Sequence, residues 1–349
     1  MKKNILISAF LGAALLVACQ PAEPEKTEEF GSLSINLNSP ELLTKGDVTA
    51  QTHESKVNKM RVMIYDNTDQ IVKDTLLASP YNSLNINQIK IGQYSVCAIA
   101  NSCASISSTP GIVHSMEELS NKSITLDDCS LTESTGFVMF DKTASVNVTA
   151  GTSSQAVNMS VTRFPARIRL VSVTNALPAF LGDISVEYVM IINGYSRWNI
   201  CGTGMPTVAV NSAGRNSAGQ IISTAEGANY PNHSFWAVPQ ADKTISSTPA
   251  TKNYGHCFYS FPNSITTDVT TSGTGGGKLR LVVAARVDSK IYYYPVTLTN
   301  VERNKSYDVV LTITGLGSED PNIPVQKGAA GFNITVTNWG AGTDYSETI

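Results

Sequence analysis

The chain has 349 residues, 42% of them hydrophobic, which is enough for two domains of typical size, each with its own core. Only 15% of the residues are charged, against roughly 25% in an average soluble protein, and the formal net charge is −3. Such a chain has no electrostatic attraction for nucleic acid, and no basic patch occurs along it.

The first segment is an export signal. Lys2 and Lys3 precede an apolar run from Ile5 to Val17, which ends in LLVACQ, residues 15–20. That order marks a secretory signal with a small-residue cleavage site. The run is too short to cross a bilayer, which takes roughly 20 residues. The segment resembles the lipobox of bacterial lipoproteins, in which the cysteine is acylated and becomes the first mature residue. This implies a signal peptide over 1–18, lipidation at Cys19 and an outer-membrane lipoprotein precursor. The plainer alternative is an ordinary signal followed by a chance cysteine. Residues 19–30, with QPAEPEKTEEF at 20–30, are charged and proline-containing and read as a solvated tether.

From Gly31 a two-residue period takes over. LSINLN puts Leu33, Ile35 and Leu37 on one face and Ser34, Asn36 and Asn38 on the other. RVMIYD (61–66) and YSVCAIAN (94–101) read as further strands, and MEEL within 115–121 as a short helix. SVNVTAG (145–151) and QAVNMSVTR (155–163) alternate again and suggest a hairpin around Gly151. Phe164-Pro165 breaks the pattern before ARIRLVSVTN (166–175), which places a domain boundary there. The second half repeats the style in ISVEYVMIIN, SFWAVP, KLRLVVAARV, IYYYPVTLTN, SYDVVLTITG and GFNITVTNW. Strands at this spacing with so little helix predict an all-β chain of two sandwiches, over 31–163 and 164–349.

Chemistry-bearing motifs are scarce. GTGGGK (273–278) has a phosphate-loop look, yet Lys278 opens an apolar strand, whereas a phosphate loop must lead into a helix. His53, His114, His233 and His256 lie far apart, in no metal-ligand spacing. The cysteines Cys97, Cys103, Cys129, Cys201 and Cys257 fit neither a disulfide scaffold nor a zinc site, and read mostly as small buried hydrophobes; Cys129 pairing with Cys97 or Cys103 is a minor alternative. Asp127-Asp128 and Glu117-Glu118 are adjacent carboxylates that point apart. Tyr292 to Tyr294 could stack on a sugar but fit a strand equally well. The reading is of a non-enzyme with no metal and no cofactor.

Two terminal features point to assembly. The first alternating strand, 33–38, precedes TKGDV (44–48), where Lys45-Gly46 forms a trypsin-like cleavage candidate. A cut there would remove lipid, tether and strand together. It would leave an apolar groove where Leu33, Ile35 and Leu37 had packed, beside unpaired backbone groups. At the other end, a Gly/Pro-containing linker precedes FNITVTNWGAGTDYSETI. Phe332, Ile334 and Val336 there form one face of the required period, making about 330–349 a donor-strand candidate. The plainer alternative is that both ends pair within their own sandwiches.

The chain resembles the fimbrillins, the type V pilins of Bacteroidota, across nearly its whole length. The resemblance is carried by the lipobox at Cys19, LSINLN with its following TKG, VNKMRVMIYDNTDQIV and IGQYSVCAIAN. It continues through RFPARIRLVSVTN, CFYSFPNS, IYYYPVTL and the terminal ITVTNWGAGTDYSETI. It implies two tandem transthyretin-like sandwiches, and a lipoprotein precursor cut by a trypsin-like protease after the first strand. It also implies a subunit polymerised by donor-strand exchange, commonly through the C-terminus of the next subunit, in a surface fimbrium that supports adhesion and biofilm formation. Partners are then other fimbrial subunits, the homopolymer first, with the outer membrane reached through the precursor's lipid and a host or bacterial surface ligand besides. Carried across by position, Cys19 is lipidated, Lys45 is the cut, Leu33, Ile35 and Leu37 belong to the expelled strand, and Phe332, Ile334 and Val336 to the donor. One departure stands out: well-known members present arginine at the cut, whereas here no arginine precedes Arg61. That implies a lysine-accepting protease, or an uncut anchor or accessory subunit. A glycan-binding surface lipoprotein, using Trp236 or Tyr293, is the reading from a different class.

Overall fold

The computed structural model describes residues 29–38, 54, 56–101, 113–126, 136–151, 153–201, 209–227, 229–230, 233–247, 249–269, 277–325, 328–338 and 341–348. Cys19, Lys45, Cys103 and Cys129 lie outside the described residues, as do the signal and nearly all of the tether.

The fold is all-β, built from two pairs of sheets. In the first pair, one sheet has β1 (Phe30–Asn38) in the middle, between β4 (Ser83–Lys90) and β9 (Ser154–Ser160). Its partner runs β10 (Thr162–Arg163), β7 (Met139–Lys142), β5 (Gly92–Ala100), β2 (Met60–Asp66), β3 (Ile71–Leu76), with β8 (Val146–Val148) also on β5. In the second pair, one sheet runs β18 (Ala250–Ser260), β11 (Ala166–Asn175), β21 (Lys305–Ile313), β22 (Ala330–Asn338), β23 (Ala341–Thr348). The other runs β16 (Phe235–Ala237), β12 (Ile184–Ile192), β19 (Leu279–Val287), β20 (Lys290–Leu298), with β17 (Thr244–Ile245) on β12. Two short ladders complete the set: β13 (Gly194–Tyr195) with β15 (Ala209–Val210), and β14 (Arg197–Asn199) with β6 (Ser123–Thr125).

Two hydrophobic clusters fill the two pairs, and the chain passes from one to the other at Phe164-Pro165-Ala166: Phe164 packs in the first, Ala166 in the second. The division is not strict, because Tyr195, Ile200, Tyr259 and Phe261 from the second half pack into the first cluster. β2 is buried on both faces, and Val113, Met116, Leu119, Ile124 and Leu126 of the stretch 113–126 belong to the same cluster. Within that stretch lies helix α1 (Met116–Ser120), which Ser115 caps by accepting a hydrogen bond from the Glu118 amide. A third, smaller cluster of Tyr188, Met190, Phe235, Val282 and Tyr293 includes Ile222 of the loop between β15 and β16.

Three expectations from periodicity change in the folded chain. The segments 145–151 and 155–163 form no hairpin with each other: β8 pairs with β5, while β9 pairs in parallel with β1. The first strand is not an edge strand, because it has a neighbour on both sides. The terminal sequence is not one strand but two, since β22 pairs with both β21 and β23. Each change has the same cause. Alternation fixes which face of a strand is buried, but not which neighbours it pairs with along its edges.

β1 contributes to the first core like an internal strand. Leu33 and Ile35 are fully buried and Leu37 nearly so. Truncating Ile35 to alanine should therefore destabilise the first sandwich by about 2–5 kcal/mol. A urea titration followed by tyrosine fluorescence reads this; an unchanged midpoint would show that β1 adds nothing to that core.

Candidate assembly site

The groove that holds β1 has two walls and a floor. On one wall β1 runs antiparallel to β4, with Leu33 opposite Ile86 and Ile35 opposite Leu84. On the other it runs parallel to β9, with Leu33 opposite Gln155, Ile35 opposite Val157 and Leu37 opposite Met159. The floor is the first hydrophobic cluster, which takes all three side chains. Burying each of them is worth roughly 1.5–3 kcal/mol. The outward face is polar and paired: Ser34 Oγ donates to Asn85 Oδ1 at 2.7 Å, and Asn36 Nδ2 to Asn158 Oδ1 at 2.9 Å. At Gly31 the strand presses so close to β8 that a Cβ would meet the Thr149 carbonyl oxygen at 2.3 Å. A side chain there would force the backbones apart.

The two ends of the groove differ. At one end Phe30 faces Lys90, and the Ile91 amide donates to the Glu29 carbonyl oxygen at 3.1 Å. At the other end the Val161 amide donates to the Asn38 carbonyl oxygen at 3.1 Å, two residues before Arg163. That second end adjoins the junction between the two halves of the chain; the first end is remote from it. Lys45 falls in the stretch between Asn38 and Glu54, outside the described residues.

Glu54 marks where the chain re-enters after that stretch, and it is locked in place. Its side chain is 2% exposed. Arg167 Nη1 donates to its Oε2 at 3.0 Å, and the Tyr259 hydroxyl donates to its Oε1 at 2.7 Å. Its backbone carbonyl oxygen accepts from Arg163 Nε. Around it, Arg167 Nε donates to Ser306 Oγ at 2.9 Å, and Arg163 Nη1 to Asn304 Oδ1 at 3.2 Å. Arg303 lies over the Phe164 ring, 4.6 Å from its centroid, and donates through Nη2 to the carbonyl oxygens of Thr162 and Phe140. Burial pushes the Arg163 guanidinium down to about 10, with Glu54 opposing, so it stays a cation at neutral pH. Burial, aided by the Glu54 carboxylate, holds the Tyr259 hydroxyl well above its ordinary value, so it remains a donor.

This junction was absent from the sequence reading. The signal for it was present in RFPARIR, where Arg163 and Arg167 punctuate an otherwise apolar stretch of a charge-poor chain. Arginines in such a setting must be buried with partners.

The donor candidates Phe332, Ile334 and Val336 sit on β22 and face the second core. Ile334 is 6% exposed, and Phe332 and Val336 are half-buried. The groove residues and the donor residues are therefore on separate sandwiches. The linker before β22 is pinned in several places. Arg215 Nη2 donates to Asp320 Oδ2 at 2.5 Å, the Ser318 and Tyr293 backbones pair, and Arg280 Nη1 donates to Asn322 Oδ1 at 2.7 Å. The Thr314 and Gly315 amides both donate to the Ala329 carbonyl oxygen.

The aromatic candidates for a glycan platform are largely enclosed. Tyr293 is 8% exposed, and Tyr188 hydroxyl lies 3.4 Å from its own. Trp236 is half-buried and stacks on His256 with centroids 4.4 Å apart. Cys97, Cys201 and Cys257 take part in no disulfide among the described residues, and burial pushes the Cys97 and Cys201 thiols up. Among the described residues no group of three His, Cys, Asp or Glu side chains is placed to hold a metal, and no helix is long and apolar enough to cross a membrane.

Paired sandwiches whose N-terminal strand is enclosed on both edges define the class of fold: an all-β chain of two packed sheet pairs. Residues 31–175 match the model of the major fimbrial subunit protein (FimA) family, in agreement with the fimbrillin resemblance. Solved structures share the fold over most of the chain. A candidate cell adhesion protein of Bacteroides eggerthii superposes with a TM-score of 0.64 at 17% identity, covering 89% of this chain and 97% of that one. A fimbrilin of Porphyromonas gingivalis gives 0.57 at 15% identity, covering 90% and 99%. A candidate cell adhesion protein of Parabacteroides distasonis gives 0.58 at 15% identity, covering 89% and 100%. No match was found among curated proteins.

Removing one partner of a buried ion pair typically costs 3–5 kcal/mol. Glu54→Ala should therefore lower the stability of the junction by about that much, read as an earlier urea midpoint and faster tryptic cleavage at Lys56 and Lys59. An unchanged midpoint with unchanged cleavage would show that the pair does not hold the halves together.

Proposed function

We propose that this protein is a structural subunit of a surface fimbrium that matures by losing its first strand and polymerises by accepting a strand from a second copy. On this reading Cys19 carries the lipid of an outer-membrane precursor. A cut after Lys45 then releases lipid, tether and β1 together. The observation that carries it is the double-sided burial of Leu33, Ile35 and Leu37 by a strand that precedes the candidate cut. Its loss opens two ladders and an apolar slot in one step. Adhesion and biofilm formation follow from the fibre.

The donor is β22. LSINLN (33–38) and FNITVT (332–337) share the same alternation, so Phe332, Ile334 and Val336 take the places of Leu33, Ile35 and Leu37. Direction agrees as well. β22 starts beside Ile313, at the end of the second sandwich remote from the junction. A segment leaving from there enters the neighbour's groove at its remote end and runs toward the neighbour's junction, as β1 does. Apolar burial favours the exchange. In its own sheet β22 buries only Ile334 fully, whereas the groove buries all three positions.

Lysine at the cut decides the maturing protease. An arginine-specific enzyme leaves the chain uncut here, and the uncut chain then serves as a lipid-bearing anchor that ends a fibre.

Limited trypsin treatment of the precursor without its signal should convert monomer into a ladder of polymers that resists detergent without heating. Deleting the chain from Phe332 onward should leave a folded subunit that is cut but does not extend. A cut, folded chain that stays monomeric at high concentration overturns strand exchange; normal polymers from the truncated chain overturn the donor assignment.

A further inference from the structure

The end of the second sandwich remote from the junction carries an uncovered aromatic side chain. Between β11 and β12 the chain reads Leu177-Pro178-Ala179-Phe180-Leu181-Gly182, with a single 3-10 turn over Ala179–Leu181. Leu177 is 4% exposed, and Leu181 packs against the second cluster. Phe180, between them, is 85% exposed, more than any other large apolar side chain described.

This is a fixed projection. The Leu181 amide donates to the Pro178 carbonyl oxygen at 2.9 Å, and Gly182, at φ 74°, lets the chain turn back. The fully buried Asn175 braces the turn from below. Its Nδ2 donates to the carbonyl oxygens of Gly182 and Ile245, and its Oδ1 accepts from the Leu177 amide at 3.1 Å. A phenyl ring held out of the core by a buried polar brace has a transfer free energy still to be gained.

Position says by what. The Ala176 amide donates to the Ile313 carbonyl oxygen at 2.8 Å, so the Phe180 turn adjoins the point from which β22 departs. Leu316, on the segment between β21 and β22, is 43% exposed. Strand exchange brings this end to the mouth of a neighbour's groove. With Ala329 held by Thr314 and Gly315, only Ala330 and Gly331 separate it from Phe332, three steps that span at most about 10 Å. Phe332 must reach the place of Leu33, close to the corner between β4 and β5. At that corner Ile91 is 43% exposed, and its amide loses the Glu29 acceptor once β1 is gone.

We propose that Phe180 is a docking knob for a second copy of this chain, seating on Ile91 and the β4–β5 corner beside the filled groove. The assignment rests on the strand-exchange reading and adds to it a subunit contact independent of the exchanged strand. The donated strand gives connection, and the knob fixes how the two sandwiches meet.

The test places p-benzoyl-phenylalanine at position 180 of the signal-less precursor, polymerises it with trypsin and irradiates it, with wild type run in parallel. Covalent dimers should form only after cleavage, and their cross-linked peptides should contain residues 88–93 of the second copy. Phe180→Glu should leave monomer melting unchanged and slow extension about tenfold or more, while Phe180→Leu restores most of the rate. Polymers that form without such cross-links, cross-links mapping elsewhere, or Phe180→Glu extending like wild type would each overturn the knob and leave strand exchange standing. Wild type that never polymerises removes both.

Discussion

A strand paired on both edges and buried along one whole face ties a sheet together in a way no edge strand can. β1 is such a strand, and the first sandwich depends on it. β4 and β9 have no contact with each other in their sheet except through β1. Take it away and the sheet is divided, with three apolar positions open to water. The fold is completed by the part of the chain that the proposed maturation discards. A subunit of this design is stable while β1 is present, and its cut form is stable only with a substitute in the slot.

The junction explains how such a loss is tolerated. Glu54 stands at the first described position after the segment that holds the candidate cut; Arg167 and Tyr259 grip it from the chain's second half, and Arg163 from the end of the first. The connection between sandwiches therefore does not run through β1. Arg303, lying over Phe164 and bonded to backbone oxygens of the first half, adds a second tie. Opening the groove leaves these contacts in place.

Much of the architecture was legible in the sequence, because alternation reports burial directly. Leu33, Ile35 and Leu37, the capped helix after Ser115, the strand opened by Lys278 and the paired sandwiches all follow from local pattern. What stayed hidden was pairing over long separations. The partners of β1 lie about fifty and more than a hundred residues downstream, and nothing in LSINLN says that it has two of them. The hairpin expected around Gly151 failed for that reason. At the candidate assembly site, the apolar positions could be read but the clasp could not. Glu54 looks like any acidic residue in a polar stretch, and only its distant arginines give it a role. The Phe180 turn reads as a loop until the burial of Leu177 shows which way its neighbour points.

The parallel pairing of β1 with β9 has a mechanical side. A strand that follows the same course is pulled lengthwise when a fibre is stretched, so the load falls on every rung of both ladders at once. Hydrogen bonds loaded in shear yield together, whereas bonds peeled from one end yield singly. In the proposed filament, tension between subunits is carried in shear by both ladders of the filled groove.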